Sequence, residues 1–239
     1  MLENRNGFRS GLATLAGTLV LLAMPSVADA KRPGGRHCAS GICHRVMTLA
    51  ETEAQIGKLR RFKTSYYDDC RRDRFNPCGL TSSGEVFRPH TRDNAASAIH
   101  PDGTILVVRN PETRLAAVVR VNNFGPFRGD RKLDVSRATA QHLGFARRGV
   151  AALEVMVVHA PTPAETRYAR KRRYATVPGF IGSATTIDSA YMRYADLTLH
   201  TRIAQLDKTT CHVAANRRTP RLKLIASLPN GSTTRLARN

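Results

Sequence analysis

The chain has 239 residues, a formal charge of +20, 41% hydrophobic residues and no Trp. That length holds one sizeable core with extensions, or two small domains, and the apolar content is slightly low for a fully globular chain. The basic excess points to a polyanionic partner; with no aromatic-studded nucleic-acid motif present, cell wall or membrane headgroups are expected before nucleic acid.

The N-terminus reads as a secretory signal. Arg5 and Arg9 supply the charged region, Leu12 to Met24 the apolar region, and Ala28-Asp29-Ala30 the small-residue cleavage site. The apolar run is short for a membrane span, although an uncleaved anchor is the alternative. No Cys follows the cleavage site, so a lipoprotein is not expected. The mature chain is expected to begin near Lys31 in a periplasmic or secreted, oxidising setting. Residues 31–62 form a basic leader, with Val46 to Leu59 as a short helix carrying Leu49, Ile56 and Leu59 at loosely helical spacing.

Five cysteines make an odd count. Cys70 and Cys78 bracket a short charged loop and are the first expected disulfide. Cys38 and Cys43 are the second candidate pair, and Cys211 is left over. Cys38 and Cys43-His44 also resemble an expanded haem-attachment spacing, but no other haem motif follows. No second ligand pair at metal spacing follows either, so no metal or cofactor is implied.

The compact part is expected from Lys63. Thr64-Ser65-Tyr66-Tyr67 has strand composition, and Thr81-Ser82-Ser83-Gly84-Glu85 turns into Val86-Phe87. Ala95 to Ile99 is a short small-residue segment ending at His100. Thr104 to Arg109 and Leu115 to Val121 are two apolar strands joined by the Asn110-Pro111-Glu112 turn. A corner at Asn122-Asn123-Phe124-Gly125-Pro126 follows, then Leu133 to Ser136, with Ser136 placed to cap a helix running to about Phe145. Ala151, Leu153, Val155 and Val157 alternate along one face of a final strand. Short strands with one short helix predict a mainly β fold, a small barrel over residues 63–160 flanked by irregular basic extensions. From Pro161 the tail carries 14 basic and 4 acidic residues, half of the net charge, and reads as a mobile or marginally structured extension that touches an anionic wall or membrane surface.

In order and spacing, these segments resemble the six-stranded double-psi β-barrel of the rare lipoprotein A (RlpA) family, exported lytic transglycosylases that cut peptidoglycan glycan strands. Ser65-Tyr66-Tyr67 matches the opening strand and Thr81 to Phe87 the T-A-S-G-E-x-F segment. Ala98-Ile99-His100 resembles A-A-H, and Gly103 to Val107 the following strand. Val119-Arg120-Val121-Asn122 resembles V-R-I-N, Gly125-Pro126-Phe127 is identical to the family turn, and Leu133 to Ala138 follows I-D-L-S-R-A. The likeness covers roughly Lys63 to His159.

The resemblance implies cleavage between MurNAc and GlcNAc to leave 1,6-anhydro-MurNAc ends, and it assigns site residues. The family motif N-D-R-G-P-F stands here as Asn122-Asn123-Phe124-Gly125-Pro126-Phe127, so the family's catalytic acid falls on Asn123. Glu85 and His100 fall on the other positions tied to activity. An amide cannot donate a useful proton, and losing a general acid costs about 10²–10⁴ in rate. Glu85 is the first candidate to replace it, Asp134 the second, with a structural role at the helix start set against the latter. Arg120, Tyr66, Asn122 and Asp134 are expected to contact sugar. The alternative is a non-catalytic peptidoglycan-binding or expansin-like wall-loosening protein, which Asn123 favours.

Overall fold

The computed structural model describes residues 31–73 and 79–215. The expected signal segment and Cys78 lie outside the described residues, as does the tail beyond residue 215.

Six strands close into a barrel: β3 (Leu59–Tyr67), β4 (Asn94–Ser97), β5 (Ile105–Arg109), β6 (Leu115–Asn123), β7 (Leu133–Ser136) and β8 (Ala151–His159). Around the barrel the order is β4-β7-β3-β8-β5-β6, and β6 pairs back onto β4. Two pairings are parallel, β3 with β7 and β4 with β6, and the rest are antiparallel. Closure leaves no free edge within this set. The interior is filled by Phe62, Leu106, Val108, Val119, Val121, Leu133, Val135, Leu153, Val155 and Val157, with Leu143 and Phe145 closing one end. Ser136 caps the helix α2 (Arg137–His142), its Oγ accepting from Thr139 N at 3.1 Å. The helix stops earlier than the expected Phe145, because Gly144 takes a positive φ just past its end.

The extensions are more ordered than the sequence reading allowed. On the N-terminal side, β1 (Arg36–Ala39) and β2 (Ile42–Arg45) form a hairpin closed by a Cys38–Cys43 disulfide. Those cysteines are thereby committed to each other, which removes the haem-attachment reading. The helix expected over 46–59 is confined to α1 (Leu49–Glu53), begun by a Thr48–Glu51 capping box. Lys31 is 1% exposed. Its Nζ lies 3.0 Å from Asp102 Oδ1 and donates to the carbonyls of Ser97 at 3.0 Å and Asn123 at 3.2 Å. The leader is therefore stitched to the barrel mouth through a buried cation.

On the C-terminal side, a short helix α3 (Pro163–Thr166) precedes β9 (Gly179–Ser183), which adds to β6, and α4 (Ile187–Ala215), which covers the sheet. Ile105, Val107, Ala116, Val118 and Met156 point outward from the barrel and pack with Ile181, Ile187 and Ala190 as a second core. Arg109 fixes this cover. Its guanidinium pairs with Glu154 at 2.6 Å and donates to the carbonyls of Ala184 at 2.7 Å and Thr185 at 2.6 Å. The tail from Pro161, expected to be mobile or marginally structured, carries α3, β9 and α4 among its described residues. The reason is physical: β5 and β6 are apolar on both faces, and the outer face needs burial.

Burial pulls the Lys31 ammonium below its usual pKa, with Asp102 opposing. Removing one member of a buried pair costs about 3–5 kcal/mol, because the other charge is left uncompensated. Lys31→Ala should therefore lower unfolding free energy by about that amount in a urea titration monitored by circular dichroism, whereas Arg36→Ala on the exposed hairpin should leave it within about 0.5 kcal/mol.

Candidate functional site

The corner after β6 is shaped by a register shift. Asn94 pairs with Arg120 and Ala95 with Val121, but Ala96 pairs with Asn123, so Asn122 is the extra residue of a bulge. Without the bulge, Asn123 would share the inward face with Val119 and Val121. With it, Asn123 joins a row on the outer face that runs through Ala96 of β4, Asp134 of β7 and Ser65 of β3. Asn123 and Asp134 flank the same alanine, two strand spacings or about 10 Å apart.

The amide of Asn123 is tied to the backbone. Its Oδ1 accepts from Phe124 N at 2.9 Å and Ser82 N at 3.2 Å. These bonds knit the corner to the Thr81–Glu85 turn, a structural duty for the residue at the family's acid position. Asn122 turns the other way and donates from Nδ2 to Glu85 Oε2 at 2.7 Å.

Glu85 does not face an open groove. Its Oε1 accepts from Tyr174 N at 3.2 Å, and the segment 167–177 lies across the turn as a strap. Ala169 N donates to Ser83 O at 3.2 Å and Arg172 N to Gly84 O at 3.1 Å. Arg120, expected on sugar, is 7% exposed and held by the same strap. It donates to Ala175 O at 3.1 Å, and its guanidinium lies 4.9 Å from the Tyr174 ring centroid. The space left among Glu85, Arg120, Asn122 and Tyr174 is only about 70 Å³. Tyr174 and Arg172 escaped the sequence reading because a basic cluster at residues 170–173 reads as a solvated run.

His100 is not brought to Glu85. It is 2% exposed, its Nδ1 is 2.9 Å from Ser97 Oγ, and its ring sits 5.8 Å from that of Phe62. Burial, with Lys31 and Arg60 adding to it, pushes its pKa down to about 3, so it is a neutral core imidazole. The catalytic expectation for His100 is corrected accordingly.

The open space lies on the other side of the corner. A cleft of about 680 Å³ is lined by Tyr66, Phe124, Phe127, Arg131, Asp134 and the hairpin tip at Ser40, among others. Phe124 stands where the family has Arg. Its ring is 4.5 Å from Phe127 and 4.7 Å from His37, so the substitution joins the disulfide-closed hairpin to the cleft wall. Tyr66 serves two ends: it packs on the core edge-on to Phe145 at 6.5 Å and borders the cleft. Asp134 accepts a hydrogen bond from Ser65 Oγ, which in turn accepts from Arg131 Nη1 at 2.7 Å. Burial raises the Asp134 carboxyl to about 6, outweighing the Ser65 hydroxyl and the Arg131 charge that act to lower it. Ser136 caps α2, and Asp134 lies two positions ahead of that cap, hydrogen-bonded to Ser65.

Cys70 is disulfide-bonded; Cys78, its expected partner, lies outside the described residues. Among the described residues, no three His, Cys, Asp or Glu side chains gather where they could hold a metal ion.

Gly84 shows how closely the strap lies. Its φ is +93°, and a Cβ there would sit 2.1 Å from Ala169 O. Gly84→Ala should therefore lift the strap and speed tryptic cleavage at Arg170 to Arg173 at least tenfold, as read by mass spectrometry of limited digests. An unchanged cleavage rate would mean that the strap is not held by this contact.

A family model described as lytic transglycolase matches residues 60–155. Curated relatives include the endolytic peptidoglycan transglycosylase RlpA of Helicobacter pylori, 33% identical over 78 residues that make up 33% of this chain and 24% of that protein. RlpA of Neisseria meningitidis is 40% identical over 78 residues, 31% of each chain. RlpA of Vibrio cholerae is 33% identical over 88 residues, 37% of this chain and 33% of that one. The chain thus spans about a quarter to a third of the length of these relatives. Among solved structures, a Streptomyces papain inhibitor aligns over 44% of this chain and 97% of its own, with 20% identity and a TM-score of 0.35. Over residues 60–155 the barrel segment matches the lytic transglycolase family model and is similar to the RlpA endolytic transglycosylases.

Proposed function

We propose that this protein is an exported peptidoglycan lytic transglycosylase whose general acid is Asp134 rather than the residue at the family's acid position. The observation that carries this reading is a carboxyl raised to about 6 beside an open aromatic cleft. Sugar rings stack on aromatic faces, and Phe124, Phe127 and Tyr66 offer them along one wall. A carboxyl that keeps its proton to about pH 6 is suited to donate it near neutrality.

In this scheme Asp134 protonates the glycosidic oxygen as the bond from MurNAc C1 to the GlcNAc oxygen breaks. The MurNAc C6 oxygen then attacks C1, and the Asp134 carboxylate takes the C6 hydroxyl proton. One group acts as acid and then base, because the nucleophile belongs to the substrate. Ser65 orients the carboxyl, and Arg131, bonded to Ser65, favours its ionised form in the second half of the cycle. Glu85 is assigned a structural role, since both of its oxygens are already engaged and the strap covers it. The Cys38–Cys43 bond supports a periplasmic or secreted setting, where disulfides persist.

A second reading, a glycan binder without cleavage, is favoured by Asn123, whose amide oxygen is spent on two backbone N–H groups.

Purified protein from Lys31 onward, incubated with peptide-free glycan strands, should release 1,6-anhydro-MurNAc ends detectable by mass spectrometry. Asp134→Asn should lower that rate by about 10²–10⁴. Because the acid must start protonated, the rate should fall as pH rises through about 6. Glu85→Gln should lose less than Asp134→Asn. No product from the parent chain, with glycan binding retained by both parent and Asp134→Asn, would establish the binder instead.

A further inference from the structure

Beside α2, sharing no lining residue with the aromatic cleft, is a second open pocket of about 530 Å³. Its lining is Arg72, His90, Arg92, Arg137, Gln141 and His142, with Ala138, and contains no carboxylate. Nearby acids satisfy only part of this charge: Arg137 pairs with Asp68, and His90 Nε2 lies 4.0 Å from Asp69 Oδ2. Arg72 and Arg92 are exposed and have no ion-pair partner among the described residues. The Nε2 of His142 is buried and finds no hydrogen-bond partner among them. Gathering more guanidinium groups around one space than nearby acids offset raises a repulsive field that an anion relieves.

We propose that this pocket is a binding site for a phosphate ester or phosphodiester, separate from the glycan cleft. Arginine forks match the paired oxygens of a phosphate, and three of them at one pocket suit a group carrying several acceptor oxygens. Gln141 adds an amide donor for a neutral substituent, and the pocket is larger than a bare phosphate requires. A phosphate-bearing wall polymer and a phospholipid headgroup present the same chemistry, and either would hold the barrel at its substrate. This site is independent of the C-terminal tail as a source of positive charge, because every lining residue lies on the barrel side of Pro161.

The test uses the mature chain with glycerol 3-phosphate as the soluble probe and phosphatidylglycerol vesicles as the surface probe. Titration calorimetry should show saturable one-to-one binding of glycerol 3-phosphate. The exposed double variant Arg72→Gln/Arg92→Gln should weaken it at least tenfold. The charge-matched control Arg36→Gln/Arg60→Gln, on exposed arginines elsewhere, should stay within twofold, and circular dichroism should show both variants folded. Loss of vesicle co-sedimentation in Arg72→Gln/Arg92→Gln alone would identify a headgroup as the source; loss of soluble binding with unchanged sedimentation would identify a wall phosphodiester. Binding that does not saturate, or equal weakening in both double variants, would overturn the proposal in favour of diffuse attraction to a charge of +20.

Discussion

Strand β6 must satisfy three neighbours within nine residues: β5 along one edge, β9 against Leu115 to Val118, and β4 against Arg120 to Asn123. Much of the molecule follows from that constraint. The first half of the strand is apolar on both faces, so the outer face must be covered, and β9 with α4 does so. The last residues change partners to close the barrel, and the change of register places a bulge at Asn122. That single extra residue turns Asn123 outward into the row containing Asp134 and Ser65. Cover and corner are then linked, because the chain leading to β9 passes over Glu85 and Arg120 on its way.

The consequence for chemistry is a pair of carboxyls with opposite circumstances. Glu85 receives Asn122 and the Tyr174 amide, so its lone pairs are engaged and its surroundings are filled by the chain's own backbone. Asp134 is desolvated beside a cleft, with one hydroxyl donor and a guanidinium one step removed. Engaged oxygens on one carboxyl and desolvation beside open space on the other separate a structural group from the one proposed to transfer a proton. The aromatic wall belongs to the same arrangement. Phe124 packs against His37 in the hairpin that Cys38–Cys43 closes, and Lys31 holds the start of that leader against Asp102 and the Asn123 carbonyl.

Strand alternation in Ala151 to Val157, the Ser136 cap and the ordered family segments made the six strands and α2 legible in the sequence. The ordered extensions were less so. Lys31 reads as one more basic residue after a cleavage site, and nothing local reveals that its partner is 71 positions away at Asp102. The doubly apolar character of Ile105 to Val108 and Ala116 to Val119 did carry the signal for an outer cover, since a one-sided barrel strand would alternate. His100 was misplaced because a motif position says where a residue sits along the chain, whereas its burial against Phe62 and Ser97 depends on the leader and barrel closing together. Asp134 was named among the candidates, but its raised pKa depends on desolvation that no spacing encodes.

The most direct measurement is a carbon-13 NMR titration of the Asp134 carboxyl in the mature protein, assigned by its loss in Asp134→Asn. A midpoint near 6 is the predicted result, with movement toward the ordinary carboxylate range when Phe124→Ser and Phe127→Ser open the cleft to water. A midpoint below about 4, the ordinary range for Asp, would contradict the account, because the carboxyl would then be ionised throughout the range in which the proposed acid must carry its proton.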